Sequence, residues 1–171
     1  MNNAAYILDS NVFIVAWNNY YSPDFCEGYF TSIERLGEEG RLAIPQKVYE
    51  EIKRQSDALY EWIHKSQIPV CPITEGVQKS LRKLYQKDPK HRRLADTSKN
   101  RSMADPWVIA HAMEEDAVVV TKEEEIVTPG STKVKIPNVC RAMGVRCIHD
   151  FEFIREVNIK MWAKISSDVH F

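Results

Sequence analysis

An α/β fold around a mainly parallel sheet is the class this sequence predicts, and three observations carry it. Strand-like apolar runs alternate with stretches of helical periodicity along the whole chain. The run Ala117-Val118-Val119-Val120 is apolar throughout and rich in β-branched residues, as suits a strand covered on both faces. The length, 171 residues, fits one domain with a full core, and 44% hydrophobic with 27% charged residues is ordinary for a globular chain.

The first strand runs from Ala5 to Asp9 and is followed by an apolar helix, Val12 to Trp17. Cys26, Phe30, Ile33 and Leu36 recur at helical spacing, and Gly37 and Gly40 close that helix before a short strand, Leu42 to Ile44. Pro45 suits the first turn of the next helix, which carries Val48, Ile52, Leu59, Trp62 and Ile63 on one side. An extended piece, Ile68 to Ile73, follows it, and a basic segment comes next. Asp105-Pro106 reads as an N-cap followed by proline at the first helical position, with Val108, Ile109, Ala112 and Met113 forming the apolar face. Ala117 to Val120 is expected at the centre of the sheet. Gly130 marks a loop, Pro137 to Met143 a short helix ended by Gly144, and Val145 to Ile148 a last strand. Phe151, Ile154, Val157, Met161 and Trp162 describe an amphipathic C-terminal helix. The expected organisation is a domain over residues 1–150, with residues 151–171 as a helix and tail packed on it.

No apolar run approaches the roughly 18 residues that cross a bilayer, so no membrane association is expected. The chain enters a strand at Tyr6 with no basic region or small-residue cleavage site before it, which predicts a cytoplasmic protein. Cys26, Cys71, Cys140 and Cys147 lack paired spacing, so reduced thiols are expected in place of a zinc site or a disulfide framework. His64, His91, His111, His149 and His170 share no metal-binding spacing and are assigned to surface or packing.

Net charge is only −1, but it is unevenly spread. Lys79, Arg82, Lys83, Lys87, Lys90, Arg92, Arg93, Lys99 and Arg101 meet only Asp88 and Asp96 in their segment, which is near +7 while the remainder is near −8. Lys79, Arg82, Lys83, Arg92 and Arg93 are candidate contacts for nucleic-acid phosphates. The plainer reading is a solvated helix and loop.

Asp9, Glu51, Asp105 and Glu123 are the candidate site. Asp9 ends the first strand, Glu123 lies just past the Val118 to Val120 run, Asp105 begins a helix, and Glu51 borders the face marked by Val48 and Ile52. In parallel sheets, functional groups gather beyond the carboxyl ends of the strands. Four carboxylates gathered there repel one another unless a hard cation offsets them, which points to Mg²⁺ or Mn²⁺. The plainer reading of each acid is a helix cap or a surface residue, and Asp105 before Pro106 has the strongest claim to it. Glu50 beside Glu51, and Glu124 and Glu125 after Glu123, leave the register open by a residue. Tyr20, Tyr21 and Trp107 are candidates for stacking on bases, with core packing as the default.

Four segments in order, Tyr-Ile-Leu-Asp-Ser-Asn (6 to 11), Pro-x-x-Val-x-x-Glu (45 to 51), Ala-Asp-Pro-Trp-Val-Ile-Ala (104 to 110) and Val-Val-Thr-Lys-Glu (119 to 123), resemble the PIN domain. The likeness is to a bacterial and archaeal subfamily related to the ribonuclease toxins of toxin–antitoxin pairs, and it spans roughly residues 5 to 150. It implies a three-layer α/β/α sandwich and Mg²⁺- or Mn²⁺-dependent hydrolysis of RNA that leaves a 5′-phosphate and a 3′-hydroxyl. Asp9, Glu51, Asp105 and Glu123 carry over as catalytic acids and metal ligands, with Asn11 and Thr121 supporting them by hydrogen bonds. Many PIN proteins have aspartate where Glu123 stands. The resemblance also allows an antitoxin protein or a second copy of the chain as partner. Two other classes remain: a non-catalytic RNA- or protein-binding module, and a haloacid dehalogenase-type phosphohydrolase with Asp9 as nucleophile. The latter's first motif wants aspartate at the position of Asn11.

Overall fold

A computed structural model describes residues 4–55, 58–95, 103–131 and 133–162. Five parallel strands form one sheet: β1 (Tyr6–Leu8), β2 (Leu42–Pro45), β3 (Val70–Cys71), β4 (Val118–Thr121) and β5 (Cys147–His149). Their order across the sheet is β3-β2-β1-β4-β5. Tyr6 pairs with Leu42 on one side and Val118 on the other, and Val120 pairs with Ile148. The middle strand is therefore β1, and the apolar run expected at the centre is its neighbour β4, enclosed by β1 and β5. Ile7, Leu8, Ala43, Ile44, Val119 and Val120 are essentially inaccessible, as both faces of an all-parallel sheet must be.

Eight α-helices cover the sheet in the described residues: α1 (Ser10–Val15), α2 (Pro23–Glu38), α3 (Gln46–Lys53), α4 (Ala58–Lys65), α5 (Glu75–Lys87), α6 (Asp105–Glu115), α7 (Ile136–Met143) and α8 (Asp150–Glu156). Sheet and helices make the three-layer α/β/α sandwich of the PIN-like class. Several expectations are corrected in detail. The first helix ends at Val15 and continues as a π-helical turn over Ala16–Tyr20. Gly37 lies inside α2, where a Cβ would come within 2.9 Å of the Ile68 backbone. The turn that ends α2 falls to Gly40, at φ +67. The long helix after Pro45 is two, α3 and α4. Asp105 is the first residue inside α6, its N-cap being Ala104, and Pro106 is second. α8 stops at Glu156, with Phe153 and Ile154 buried, Phe151 partly exposed and Trp162 almost fully exposed.

The described part of the basic segment, up to residue 95, falls in α5 and a 3-10 turn, Pro89–Leu94. Val77, Ser80 and Leu84 bury one side of α5, which packs against α6. Gly76 at the start of α5 lies against Glu114 near the end of α6, so the two helices run antiparallel. The distal half of α5 and the 3-10 turn therefore run toward the Asp105 end of α6. Among the described residues, no helix is long and apolar enough to cross a membrane.

Candidate metal centre

The order β3-β2-β1-β4-β5 reverses direction between β1 and β4, and beyond such a switch point a parallel sheet opens a crevice at its carboxyl edge. Asp9 stands there. Its backbone N–H donates to Val120 O at 3.0 Å, continuing the β1–β4 ladder, and its own carbonyl accepts from Val12 N at 3.1 Å to start α1. Although it occupies the N-cap position, its carboxylate caps nothing. Thr121 at the end of β4 donates its hydroxyl to Asp9 Oδ2 at 2.9 Å, and Ser10 Oγ lies 3.5 Å from Oδ1. Asp9 is wholly inaccessible to solvent.

Burial pushes the Asp9 carboxyl up to about 7, with the fields of Glu123 and Glu51 adding to the rise and the Thr121 hydrogen bond opposing it. Two of the other acids named from the sequence are thus near enough to act on it. Glu51, on α3, keeps Oε2 buried without a hydrogen-bond partner. Its neighbour Glu50 is held by Lys47 Nζ at 2.6 Å and Gln46 Nε2 at 2.9 Å, and Lys47 holds its carboxyl below the usual range. Asp105 is buried at the start of α6, a helix that packs against β1, β4 and α3.

Glu123 is bound up differently. Lys135 forms an ion pair with its Oε1, and Ile136 at the start of α7 donates its backbone N–H to Oε2 at 2.8 Å. Thr121 Oγ also accepts from the Glu123 backbone N–H at 3.1 Å, so one hydroxyl ties both acids to the end of β4. Glu125 is taken by Arg141 at 2.6 Å, and Glu124 is exposed. Asn11 keeps its Oδ1 buried and without a partner.

Among the described residues, no three His, Cys, Asp or Glu side chains converge closely enough to hold a cation as they stand. The donor chemistry nevertheless fits a hard cation at Asp9. Buried carboxylate and amide oxygens without donors, Glu51 Oε2 and Asn11 Oδ1, are what such an ion satisfies, and the Asp9 pKa is raised chiefly by burial, with the neighbouring acids adding to the rise. Glu123 does not fit as placed, because Lys135 and α7 occupy its oxygens.

Sequence reasoning missed the next pair along the same edge. Lys122, the residue after Thr121, places Nζ 2.6 Å from Asp150 Oδ2, and His149 Nδ1 lies 2.5 Å from Asp150 Oδ1. Asp150 follows an apolar strand just as Asp9 does, so the signal that singled out Asp9 was present here too. The histidines behave as packing residues where described: His91 Nδ1 lies 2.8 Å from Leu84 O, and His64 Nδ1 3.0 Å from Tyr49 Oη. His111 is buried with neither ring nitrogen bonded, and burial lowers its pKa to about 4. His170 lies outside the described residues.

Of the basic candidates, Arg82 and Lys83 are exposed on α5 and Lys79 is paired with Glu75 at 2.8 Å. Arg92 lies 4.6 Å from the centre of the Tyr85 ring, and Arg93 is exposed. Lys99 and Arg101 lie outside the described residues.

The architecture is an α/β/α sandwich of PIN-like fold. The chain belongs to the family described as a domain of unknown function (DUF4411), whose model matches residues 6–161. Among solved structures it is similar to a chain of VapBC2 from Rickettsia felis, crystallised bound to a DNA fragment from their promoter. That match has a TM-score of 0.53 at 16% identity and covers 84% of this chain and 97% of the other. No curated protein matches the chain.

Proposed function

We propose that this chain is a divalent-metal-dependent endoribonuclease, the toxin component of a toxin–antitoxin pair. The observation that carries the reading is Asp9: a fully buried carboxylate at the switch point, free of any capping duty, with two acids acting on it and a threonine orienting it. Asp9, Glu51 and Asp105 would hold the ion, with Asn11 Oδ1 as a further oxygen. Mg²⁺ or Mn²⁺ bound there supplies Lewis acidity toward a phosphodiester and the water that attacks it. Thr121 orients Asp9 through its hydroxyl, and Lys135 pairs with Glu123. Arg82, Lys83, Arg92 and Arg93, with Lys79, attract the RNA backbone. The likeness in fold to VapBC2 supports an antitoxin as protein partner.

Purified protein is expected to cut labelled single-stranded or hairpin RNA in Mn²⁺ or Mg²⁺ and to stop in EDTA. If Asp9→Asn and Asp105→Asn cut as fast as the parent, the assigned site is wrong. One observation favours a second reading, a non-catalytic RNA-binding module: Glu123 is already neutralised by Lys135. Salt-sensitive RNA binding with no cutting in either metal would establish it.

A further inference from the structure

β4 lies between β1 and β5, and its end serves both sides: Thr121 gives its hydroxyl to Asp9 after β1, and Lys122 gives its ammonium to Asp150 after β5. Lys122 is largely buried, and its Nζ also sits 4.8 Å from the centre of the Tyr20 ring and 5.4 Å from that of Phe151. Those two rings are 6.4 Å apart, inclined at 62°, and His149 stacks on Phe151 at 5.7 Å. Tyr20 remains 52% exposed and Phe151 43% exposed. The π-helical turn over Ala16–Tyr20 delivers Tyr20 to this position, closing with Tyr21 N–H to Ala16 O at 2.8 Å, and Tyr21 stacks inward on buried Tyr29 at 4.4 Å. Two half-open rings are thus held from beneath by a buried ion pair and from behind by a stacked tyrosine pair, starting one residue along the chain from the hydroxyl that orients Asp9.

We propose that Tyr20 and Phe151, braced by Lys122, form a platform on which the base of a single-stranded RNA nucleotide stacks beside the acid crevice. The inference rests on the nuclease reading for its substrate. Aromatic faces bind bases without regard to sequence, and a base locked in a duplex cannot reach such a face. Lys122 cannot leave its aspartate without stranding a buried charge, so its role is to fix the rings rather than to meet phosphate.

The test is binding in EDTA, where RNA stays whole, of single-stranded oligonucleotides carrying 2-aminopurine, a base whose fluorescence falls on stacking. The parent is expected to quench the probe and to prefer single strands over the same sequence in duplex. Tyr20→Leu and Phe151→Leu, exposed positions where leucine keeps apolar bulk but removes the π face, should each weaken binding roughly tenfold and relieve the quench. Phe25→Leu, an exposed ring outside this cluster, should change neither. Platform variants that bind and quench like the parent overturn the inference. So do variants that keep RNA binding but alter the oligomeric state in sedimentation, which would assign the rings to a protein contact. Cleavage in Mn²⁺ separates the two readings. A parent that cuts RNA while the variants bind normally leaves the nuclease without the platform, and platform-dependent quenching by a parent that never cuts leaves the platform without the nuclease.

Discussion

Asp9 and Asp150 stand at matching places in the sheet and live in opposite surroundings. Each is buried just past the carboxyl end of a parallel strand, on either side of the end of β4. Asp150 has a lysine on one oxygen and a histidine near the other. Asp9 has two hydroxyls nearby and the fields of two more acids. A buried charge is tolerated when it is paired and bonded and is very costly when it is not. Largely buried Lys122 pairs with one oxygen of Asp150, whose other oxygen has no hydrogen-bond partner, whereas no cation pairs with Asp9 among the described residues. Asp150 is thus neutralised within the fold while Asp9 is left to a proton or to a cation from solution. The difference separates a structural carboxylate from a functional one more sharply than burial does.

The largest effect expected from that difference is on catalysis. Asp9→Asn keeps the shape and the Thr121 contact but removes the charge, and RNA cleavage is expected to fall by roughly a thousandfold, as for loss of a key electrostatic group. The comparison breaks if Asp150→Asn, still folded by circular dichroism, silences cleavage as completely. Next comes stability. Asp150→Ala leaves Lys122 charged and buried, and urea unfolding is expected to show a loss of about 3–5 kcal/mol. A loss below about 1 kcal/mol would mean that the pair does not hold β4 to β5.

Asp9 should give the opposite sign. Its folded-state pKa is raised, to about 7 from 3.8, so between those values the folded protein keeps a proton that the unfolded chain has released. Its contribution is therefore present in full below about pH 4, is lost as pH rises toward 7, and changes no further above that. The upper limit is roughly 4 kcal/mol, the free energy of about three pH units. In chelator, Asp9→Asn should flatten this part of the profile and make the protein more stable than the parent at pH 8. A parent and variant with parallel profiles from pH 4 to 8 would show that Asp9 is not under strain. Mn²⁺ competes with the proton for the same oxygens, so it should stabilise the parent at pH 8 more than at pH 5. The gain should be about 1.4 kcal/mol when the ion is at roughly ten times its Kd.

The alternation of elements and the placing of acids after apolar runs were legible in the sequence because both are local: a run of side chains sharing one environment, then a residue that cannot share it. Asp9 and Thr121 meet because β1 and β4 pair in parallel with Leu8 opposite Val120. What was not legible is which acids already have cations. Lys122 and Asp150 are 28 residues apart and meet only because β5 adds beside β4; Lys135 reaches Glu123 over a long connection. Two other features were blurred by lysines or neighbours. Val77, Ser80 and Leu84 give α5 a sound buried face, obscured by the basic residues between them, and at the C-terminal helix Phe153 is the buried ring, whereas Phe151 belongs to the surface.

The smallest effect sharpens the comparison most finely, because Glu123 lies between the two extremes. It acts on Asp9 like a member of the acid cluster, yet it carries Lys135 on one oxygen and a helix N–H on the other, as a structural acid would. Lys135 is partly exposed, unlike Lys122, so its pair with Glu123 is screened and removable without stranding a buried charge. Lys135→Met should therefore fold normally and free one Glu123 oxygen, adding negative field at Asp9. Mn²⁺ affinity, read by calorimetry on the uncut protein, should then rise by about three- to tenfold, the range of a single partly screened charge contact. An unchanged or weaker affinity would mean that Glu123 belongs with Asp150, as an acid satisfied by the fold, and that the cation is held by Asp9, Glu51 and Asp105 without it.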